Sequence, residues 1–213
     1  MPEEPLEKRA VAFFDGQNLF HHARAAFAHY HPNYDPVKLF DRICHQQGWK
    51  PSGVRFYTGV PAAERDAFWH GFWSRKLLAL RRGGVLVVHR TLKYQTVETY
   101  DRNGQQVRIE VGQEKGVDVR LALDVVRLAL ANQLDVAVIF SQDQDFAEVP
   151  EEIREIARTQ GRWIKVASAF PSGADASAYR GIDKTDWIRI DKALYDSCLD
   201  HRDYRPKGIP ASK

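Results

Sequence analysis

The sequence lacks the features that mark disulfide-bonded, secreted and membrane-spanning proteins. It has only two cysteines, Cys44 and Cys198, which lie far apart and match no metal-ligand spacing. We therefore expect no disulfide framework and a reducing compartment. No stretch of about 18 apolar residues occurs, so no membrane-spanning helix is predicted. The acidic start, Met1 to Arg9, has no apolar signal core, and together these absences predict a cytoplasmic protein without a membrane partner.

Four common catalytic and nucleotide-binding motifs are also missing. No Gly-Lys-Ser/Thr triplet of a P-loop occurs, and no Gly-x-Gly-x-x-Gly follows the first predicted strand. No Gly-x-Ser-x-Gly elbow is present. A phosphatase with an aspartyl nucleophile has a second Asp two residues after the first, but Gln17 stands there after Asp15. Metal-assisted hydrolysis at phosphorus remains compatible with the acidic residues described below.

Length and composition fit one α/β domain. The chain has 213 residues, and 44% of them are apolar, which is enough for a substantial core. The formal net charge of +3 is mildly basic and permits nucleic-acid binding without arguing for it. We predict a flexible N-terminus over 1–8, one domain over 9–200 and a flexible tail over 201–213.

Short apolar runs alternate with longer amphipathic segments along the domain. This order predicts a doubly wound, mostly parallel sheet with right-handed crossovers. The strands are predicted at 9–15, 54–60, 85–89, 135–141, 163–169 and 186–190, and the helices at about 17–30, 36–47, 64–82, 116–132 and 146–160. The helix over 64–82 carries an aromatic stripe that suits the core or an oligomer contact, and Arg75, Lys76, Arg81 and Arg82 near its end are candidates for a basic surface.

A further pair of strands interrupts this alternation. Residues 91–99 and 105–111 flank Asn103-Gly104, a dipeptide that favours a tight hairpin turn. We therefore predict an inserted β-arm over about 90–112. Its basic residues alternate with tyrosines, which suits phosphate contacts and stacking on unpaired bases: Arg90, Lys93, Arg102, Arg108, Tyr94 and Tyr100. An ordinary solvated hairpin explains the same residues equally well, because edge strands favour Lys and Arg.

Carboxylates stand where the apolar runs stop. Asp15 ends the run Ala10 to Phe14, and Asp143 and Asp145 follow the run Val136 to Phe140. Each acid alone has a structural explanation, since Asp favours turns and helix caps. Asp118 joins them at the first turn of a helix whose apolar face packs on the sheet. Three segments thus bring an Asp to the same predicted sheet edge, which favours Mg²⁺ or Mn²⁺ bound by oxygen ligands.

Asp124 lies on a different face of the same predicted helix. Arg120 and Arg127 stand four residues before it and three after it, which is the spacing of an exposed salt-bridge ladder. A functional role for Asp124 is the weaker of the two interpretations, because paired surface charge is common. The histidines near the first helix are interpreted as surface residues, without a ligand role.

Three ordered segments resemble the motifs of NYN domains, which are PIN-like nucleases. They are Phe14-Asp15-Gly16-Gln17-Asn18, Lys115-Gly-Val-Asp118 with its continuation to Asp124, and Ser141-Gln-Asp143-Gln-Asp145-Phe146. The resemblance covers about residues 9–170 and is nearest in style to the bacterial LabA-like branch. Gln142 departs from the pattern, since the family usually has Gly there, and a side chain at that position would narrow the approach of backbone to substrate.

The resemblance implies a PIN-like three-layer α/β/α fold and divalent-metal-dependent cleavage of RNA. It implies that Asp15, Asp118, Asp143 and Asp145 form the metal site and carry catalysis, with Asp124 as a further acid of second rank. Asn18 would orient water or a phosphate, Ser141 would support the acidic loop, and Lys115 would contact a phosphate. The expected partner is single-stranded RNA, and a homo-oligomer is compatible with the sequence.

Two other functions remain open at this point. A chain of the same fold that binds RNA without cleaving it would fit Gln142 and the modest net charge. A metal-dependent phosphohydrolase for small phosphate esters is a third possibility, and it predicts turnover of nucleotides with RNA inert.

Overall fold

The centre of the molecule is a six-stranded sheet in which every neighbouring pair is parallel. A computed structural model describes residues 2–31, 33–100, 104–173 and 180–208. The sheet contains β1 (Arg9–Asp15), β2 (Lys50–Val60), β3 (Leu86–Thr91), β6 (Val136–Phe140), β7 (Lys165–Pro171) and β8 (Asp186–Ile190) in the order β3-β2-β1-β6-β7-β8. Every strand of this sheet was expected from the apolar pattern. Because all strands are parallel, their carboxyl ends meet at one edge.

Helices cover both faces of the sheet. They are α1 (Gly16–Phe27), α2 (Pro36–Gln47), α3 (Ala67–Arg82), α4 (Val117–Leu130), α5 (Val149–Thr159) and α6 (Lys192–Ser197). One core joins the sheet to α1, α2, α3 and α6, and a second core joins it to α4 and α5. This confirms the three-layer α/β/α architecture. Among the described residues, no helix is long and apolar enough to cross a bilayer.

Local chemistry explains where the helices begin and end. Asp35 caps α2 by accepting hydrogen bonds from the backbone N–H groups of Val37 and Lys38, and Pro36 occupies the first turn, where no backbone donor is needed. Gly48 ends the helix with φ of 67°, a left-handed conformation that suits glycine. The predicted bounds of α2, 36–47, therefore agree with the structure.

The β-arm is present and lies outside the central sheet. β4 (Lys93–Tyr100) and β5 (Gln106–Gln113) form an antiparallel pair between β3 and α4, with Val97 opposite Ile109. Asp101 to Asn103, at the predicted turn, lie outside the described residues. The arm rests on the loop before α3, because Arg65 forms an ion pair with Glu110 and lies over the ring of Tyr94.

The segment after α6 differs from the flexible tail expected from residue 201. Tyr204 is buried, its ring meets Phe72 of α3 edge-on, and its hydroxyl donates to Asp200 at 2.7 Å. Lys76 of α3, expected on a basic surface, is fully buried and donates to the backbone carbonyl of Tyr34 at 2.9 Å. The described part of the tail therefore belongs to the packed domain.

Candidate functional site

Asp15 is the last residue of β1 and also the N-cap of α1. Its carboxylate accepts a hydrogen bond from the backbone N–H of Asn18 at 3.1 Å, as a helix cap does. The next residue is necessarily small, because a Cβ on Gly16 would lie 2.7 Å from the ring of Phe56. The tight passage from strand to helix holds the Asp15 carboxylate at the carboxyl edge of the sheet.

Ser141 and Asn18 join the end of β1 to the end of β6. The Ser141 hydroxyl donates to the second carboxylate oxygen of Asp15 at 3.2 Å and accepts from the backbone N–H of Asp143 at 3.1 Å. The side-chain oxygen of Asn18 accepts from the backbone N–H of Gln142 at 3.0 Å. Both residues therefore join the acidic segments to each other.

Asp143 and Asp145 follow β6 but take different positions. Asp143 caps a short 3₁₀ helix (Gln144–Phe146) by accepting from the backbone N–H of Asp145 at 3.0 Å. It is also close enough to Asp15 to raise the pKa of that carboxyl. Asp145 is exposed, and the acids that raise the pKa of Asp15 are Asp143 and Asp118. Asp143 therefore lies within electrostatic reach of the Asp15 carboxyl more clearly than Asp145 does.

Asp118 reaches the same place from the first turn of α4. That helix starts after Gly116, whose φ of 71° lies in the left-handed region, and no side chain caps it. Asp118 is partly buried, and its charge acts on both Asp15 and Glu114. Lys115, just ahead of the helix, is exposed.

Glu114 is a fourth carboxylate at this edge that sequence reasoning missed. It begins the connection between β5 and α4, and its carboxylate accepts a hydrogen bond from the backbone N–H of Gly59 in β2. A Cβ on Gly59 would lie 2.7 Å from that carboxylate oxygen, so glycine is required for the contact. The available signal was its place four residues before Asp118, at the entry to the same helix.

The electrostatics of the edge are those of crowded acids. Burial, together with the nearby charges of Asp143 and Asp118, raises the pKa of Asp15 to about 6 against the hydrogen bonds from Asn18 and Ser141, which lower it. Burial and the charges of Asp15 and Asp118 likewise raise the pKa of Glu114 to about 7. The charged forms are therefore unfavourable together unless a cation joins them.

One histidine stands near these acids. Burial lowers the pKa of His22 in α1, while the charge of Asp143 acts in the opposite direction. The imidazole is therefore close enough to Asp143 to respond to its charge, although the sequence suggested only a surface role for this residue.

The donors at this edge suit a hard divalent cation. Carboxylate oxygens from Asp15, Asp118, Asp143 and Glu114 are the ligand type that Mg²⁺ and Mn²⁺ prefer. Within residues 2–31, 33–100, 104–173 and 180–208, no three Asp, Glu, His or Cys side chains already stand as a ready set of ligands. Instead, Asp15, Glu114 and Asp143 are each held by protein hydrogen bonds, so an ion would draw the side chains together.

Asp124 is buried, which corrects the expectation of an exposed ladder. Only 2% of the residue is exposed. The predicted partners are present, with Arg120 at 3.1 Å and Arg127 at 3.6 Å, but Arg55 of β2 also lies 3.5 Å away. The Tyr57 hydroxyl donates to the same carboxylate at 2.9 Å. Asp124 therefore holds α4 against β2.

The side chain of Gln142 does not narrow the approach of a substrate to the acidic edge, although a side chain at this position was expected to do so. The residue is buried, and its amide nitrogen donates to the backbone carbonyl of Arg180 at 2.8 Å. Its backbone carbonyl accepts from the side chain of Gln144 at 3.1 Å. The larger residue is accommodated inside the molecule.

Two solved structures align with this chain to different extents. A protein of unknown function from Vibrio parahaemolyticus is 18% identical and aligns with a TM-score of 0.53 over 89% of this chain and 97% of its own. Ribokinase from Giardia lamblia is 12% identical, with a TM-score of 0.34 over 64% of this chain and 38% of its own. The first likeness concerns the fold alone.

The sequence itself identifies the family. No protein with a curated description matches it. The family model of the NYN domain matches residues 9–179 and so includes β1, the β-arm, α4 and the segment after β6. All four carboxylates at the sheet edge lie within that match. The chain therefore belongs to the NYN domain family, whose members are generally PIN-like nucleases.

Proposed function

We propose that this protein is a divalent-metal-dependent ribonuclease that hydrolyses RNA phosphodiester bonds at the sheet edge around Asp15. The observation that carries the proposal is the convergence of acids from distant segments, with the pKa of Asp15 raised to about 6 by burial and by neighbouring carboxylates. Such crowding favours a bound cation, and membership of the NYN family favours nucleic acid as the substrate.

In this proposal the residues have distinct tasks. Asp15, Asp118, Asp143 and Glu114 hold Mg²⁺ or Mn²⁺, and Asp145 completes the site from its exposed position. A divalent ion bound there would supply Lewis acidity toward the phosphate and the attacking water. Ser141 and Asn18 hold the acidic segments in position relative to each other. The exposed side chain of Lys115 contacts a phosphate of the substrate.

The direct test compares cleavage of labelled single-stranded RNA in the presence of Mg²⁺ or Mn²⁺ by three proteins. They are the native protein, Asp118→Asn and the control Asp186→Asn. Asp186 is the first residue of β8, so it lies at the amino ends of the strands, opposite the carboxyl edge, and it pairs with Lys165. We expect the native protein and the control to cleave RNA and Asp118→Asn to lose activity. Equal cleavage by all three proteins, or none by the native protein with either metal, refutes the proposal.

The two alternatives predict different outcomes in the same assay. A module that only binds RNA retains salt-dependent affinity but gives no metal-dependent products. A phosphohydrolase for small esters turns over nucleotides or a chromogenic phosphate and leaves RNA intact. Chelation with EDTA should abolish cleavage by the ribonuclease, and added Mn²⁺ should restore it.

A further inference from the structure

A groove runs along the edge of the sheet between β3 and α4. β3 is an edge strand, and its Val88 lies opposite Tyr57, whose hydroxyl contacts Asp124 of α4. Side chains alternate along a strand, so Leu86 and Arg90 share this face with Val88. The groove has a volume of about 650 Å³ and is lined in part by Arg55, Leu86, Arg120, Asp124, Arg127 and Leu130.

The walls of the groove carry more positive than negative charge. Arg55, Arg120 and Arg127 surround Asp124 at 3.5, 3.1 and 3.6 Å. One carboxylate balances only one of these three guanidinium groups, which leaves two positive charges facing the groove. An excess of this kind attracts an anion.

The arginines are held in place yet remain open to solvent. The side chains of Arg120 and Arg127 are 43% and 70% exposed, although both lie beside the buried carboxylate. A guanidinium group has five N–H donors, so a contact with Asp124 leaves most of them free for another acceptor. Phosphate is the acceptor that matches the geometry of this fork.

Beyond the groove, β3 and the start of α4 come together beside the carboxylates at the sheet edge. Arg90 lies at the end of β3, opposite Gly59, and donates to the backbone carbonyl of Lys115 at 3.3 Å. The backbone N–H of Gly59 holds Glu114. From Arg127 back to Asp118, α4 rises about 14 Å, which is long enough for a short run of nucleotides. A strand lying in the groove would therefore reach the acids.

One basic residue of the β-arm is already paired within the arm. Arg108 pairs with Glu98 at 2.9 Å on the neighbouring strand, and Glu110 pairs with Arg65. On the other face of the arm, Val97 and Ile109 stand side by side and are exposed. The β3–α4 groove, in contrast, has three arginines around one acid.

We propose that the β3–α4 groove binds one flank of a single-stranded RNA whose scissile phosphate lies at the carboxylate edge. Arg120 and Arg127 contact phosphates, and unpaired bases lie against Leu86 and Leu130, which are both substantially exposed. The inference rests on the proposed ribonuclease function and adds the path of the substrate. A cleft between a helix and an edge strand admits a single strand, whereas a duplex presents its phosphates on a wider surface.

The test measures binding apart from cleavage. Fluorescein-labelled single-stranded RNA is titrated, in EDTA, with full-length protein that carries Asp118→Asn, and anisotropy is followed from low to moderate salt. Arg127→Gln is added to this background, beside the control Arg158→Gln. Arg158 is an arginine of α5 with a side chain that is 77% exposed and paired with Glu155. Thermal melts check that both variants are folded.

We expect Arg127→Gln to weaken binding by about 3- to 10-fold and to reduce the slope of log K against log salt by about 0.7. Arg158→Gln should change neither quantity. Equal affinities and slopes for the two variants overturn the groove assignment, and so does a duplex of the same sequence that binds more tightly than the single strand. Charge reversal, Arg127→Glu, should weaken binding more than Arg127→Gln does.

The outcome separates this inference from the proposed activity. If native protein cleaves RNA while Arg127→Gln and Arg158→Gln bind alike, the groove assignment is wrong and the ribonuclease stands. If binding depends on Arg127 but no metal supports cleavage, the groove stands as an RNA-binding surface and the ribonuclease is refuted.

Discussion

The hydroxyl of Ser141 donates to the carboxylate of Asp15 at 3.2 Å and so links residues 126 positions apart in the chain. The same oxygen accepts from the backbone N–H of Asp143 at 3.1 Å. One side chain therefore links the acid that ends β1 to the acid that follows β6.

Removing the Ser141 hydroxyl should weaken metal binding more than it destabilises the fold. We expect Ser141→Ala to lower Mn²⁺ affinity by about 10-fold, as is usual when a group that orients a ligand is lost. The loss of stability should be about 1 kcal/mol. Calorimetric titration with Mn²⁺ and denaturant unfolding measure the two effects. Ser141→Thr keeps the hydroxyl and serves as the control; unchanged metal affinity in Ser141→Ala contradicts the prediction.

Metal-free protein should lose stability as the pH rises through the range in which Asp15 and Glu114 ionise. Their pKa values are raised to about 6 and about 7, whereas carboxyls of the unfolded chain titrate near 4. The folded state therefore holds these protons more tightly. This contribution is complete below about pH 4 and is lost as the pH passes the folded-state pKa values.

Glu114→Gln isolates this contribution. At pH 8 without metal, the variant should be more stable than the native protein by about 1–3 kcal/mol, and at pH 4 the two should be equal. Added Mn²⁺ should stabilise the native protein more than the variant. Melting temperatures across pH, beside Glu148→Gln at the exposed start of α5, test this. A variant that is less stable at pH 8 would falsify it.

Asp124→Asn should destabilise the protein strongly. Asp124 is 2% exposed and receives the Tyr57 hydroxyl and three guanidinium groups. Removing the charge weakens the hydrogen bonds that Tyr57 and Arg120 donate to the buried carboxylate, which costs about 1.5–3 kcal/mol because the guanidinium groups themselves remain solvated. Asp186→Asn breaks an exposed pair with Lys165 and should cost less than about 1 kcal/mol. Similar unfolding midpoints for the two variants in urea would argue that Asp124 is not a structural anchor.

Tyr204→Ala should also destabilise, since its ring is buried against α3. It contacts Phe72 and lies 5.3 Å from the ammonium of buried Lys76. Truncation of a buried aromatic residue costs about 3–5 kcal/mol. His201→Ala, at an exposed position in the same segment, is the matched control. If both variants unfold at the same temperature as the native protein, the segment contributes nothing to the core.

The strand and helix order could be predicted because it depends on local pattern. Five-residue apolar runs such as Val136–Phe140 are fully buried, and the acids that follow them necessarily come to the sheet edge. The Lys115 to Asp118 segment was placed correctly for the same reason, since the apolar face of α4 fixes its orientation. The roles of Asp15, Asp118, Asp143 and Asp145 in catalysis stay predictions.

What could not be predicted depends on partners from other segments. Glu114 lies in a connection without periodicity, and only its contact with Gly59 of β2 brings it to the acids. The Arg120 and Arg127 spacing is the same whether Asp124 is exposed or buried. Arg55 and Tyr57, which come from β2, decide between the two. Lys76 was likewise assigned to the surface, because its contact with Tyr204 joins residues that are distant in sequence.

The parallel pairing of β1 with β6 has a consequence for how the chain folds. More than 100 residues separate these strands, so their pairing is a non-local contact with a large loop-closure cost and should form late. Asp15 and Asp143 become neighbours only then. A divalent ion that binds both acids should therefore leave the folding rate almost unchanged. It should act mainly by slowing unfolding, because its site forms only after the transition state for folding.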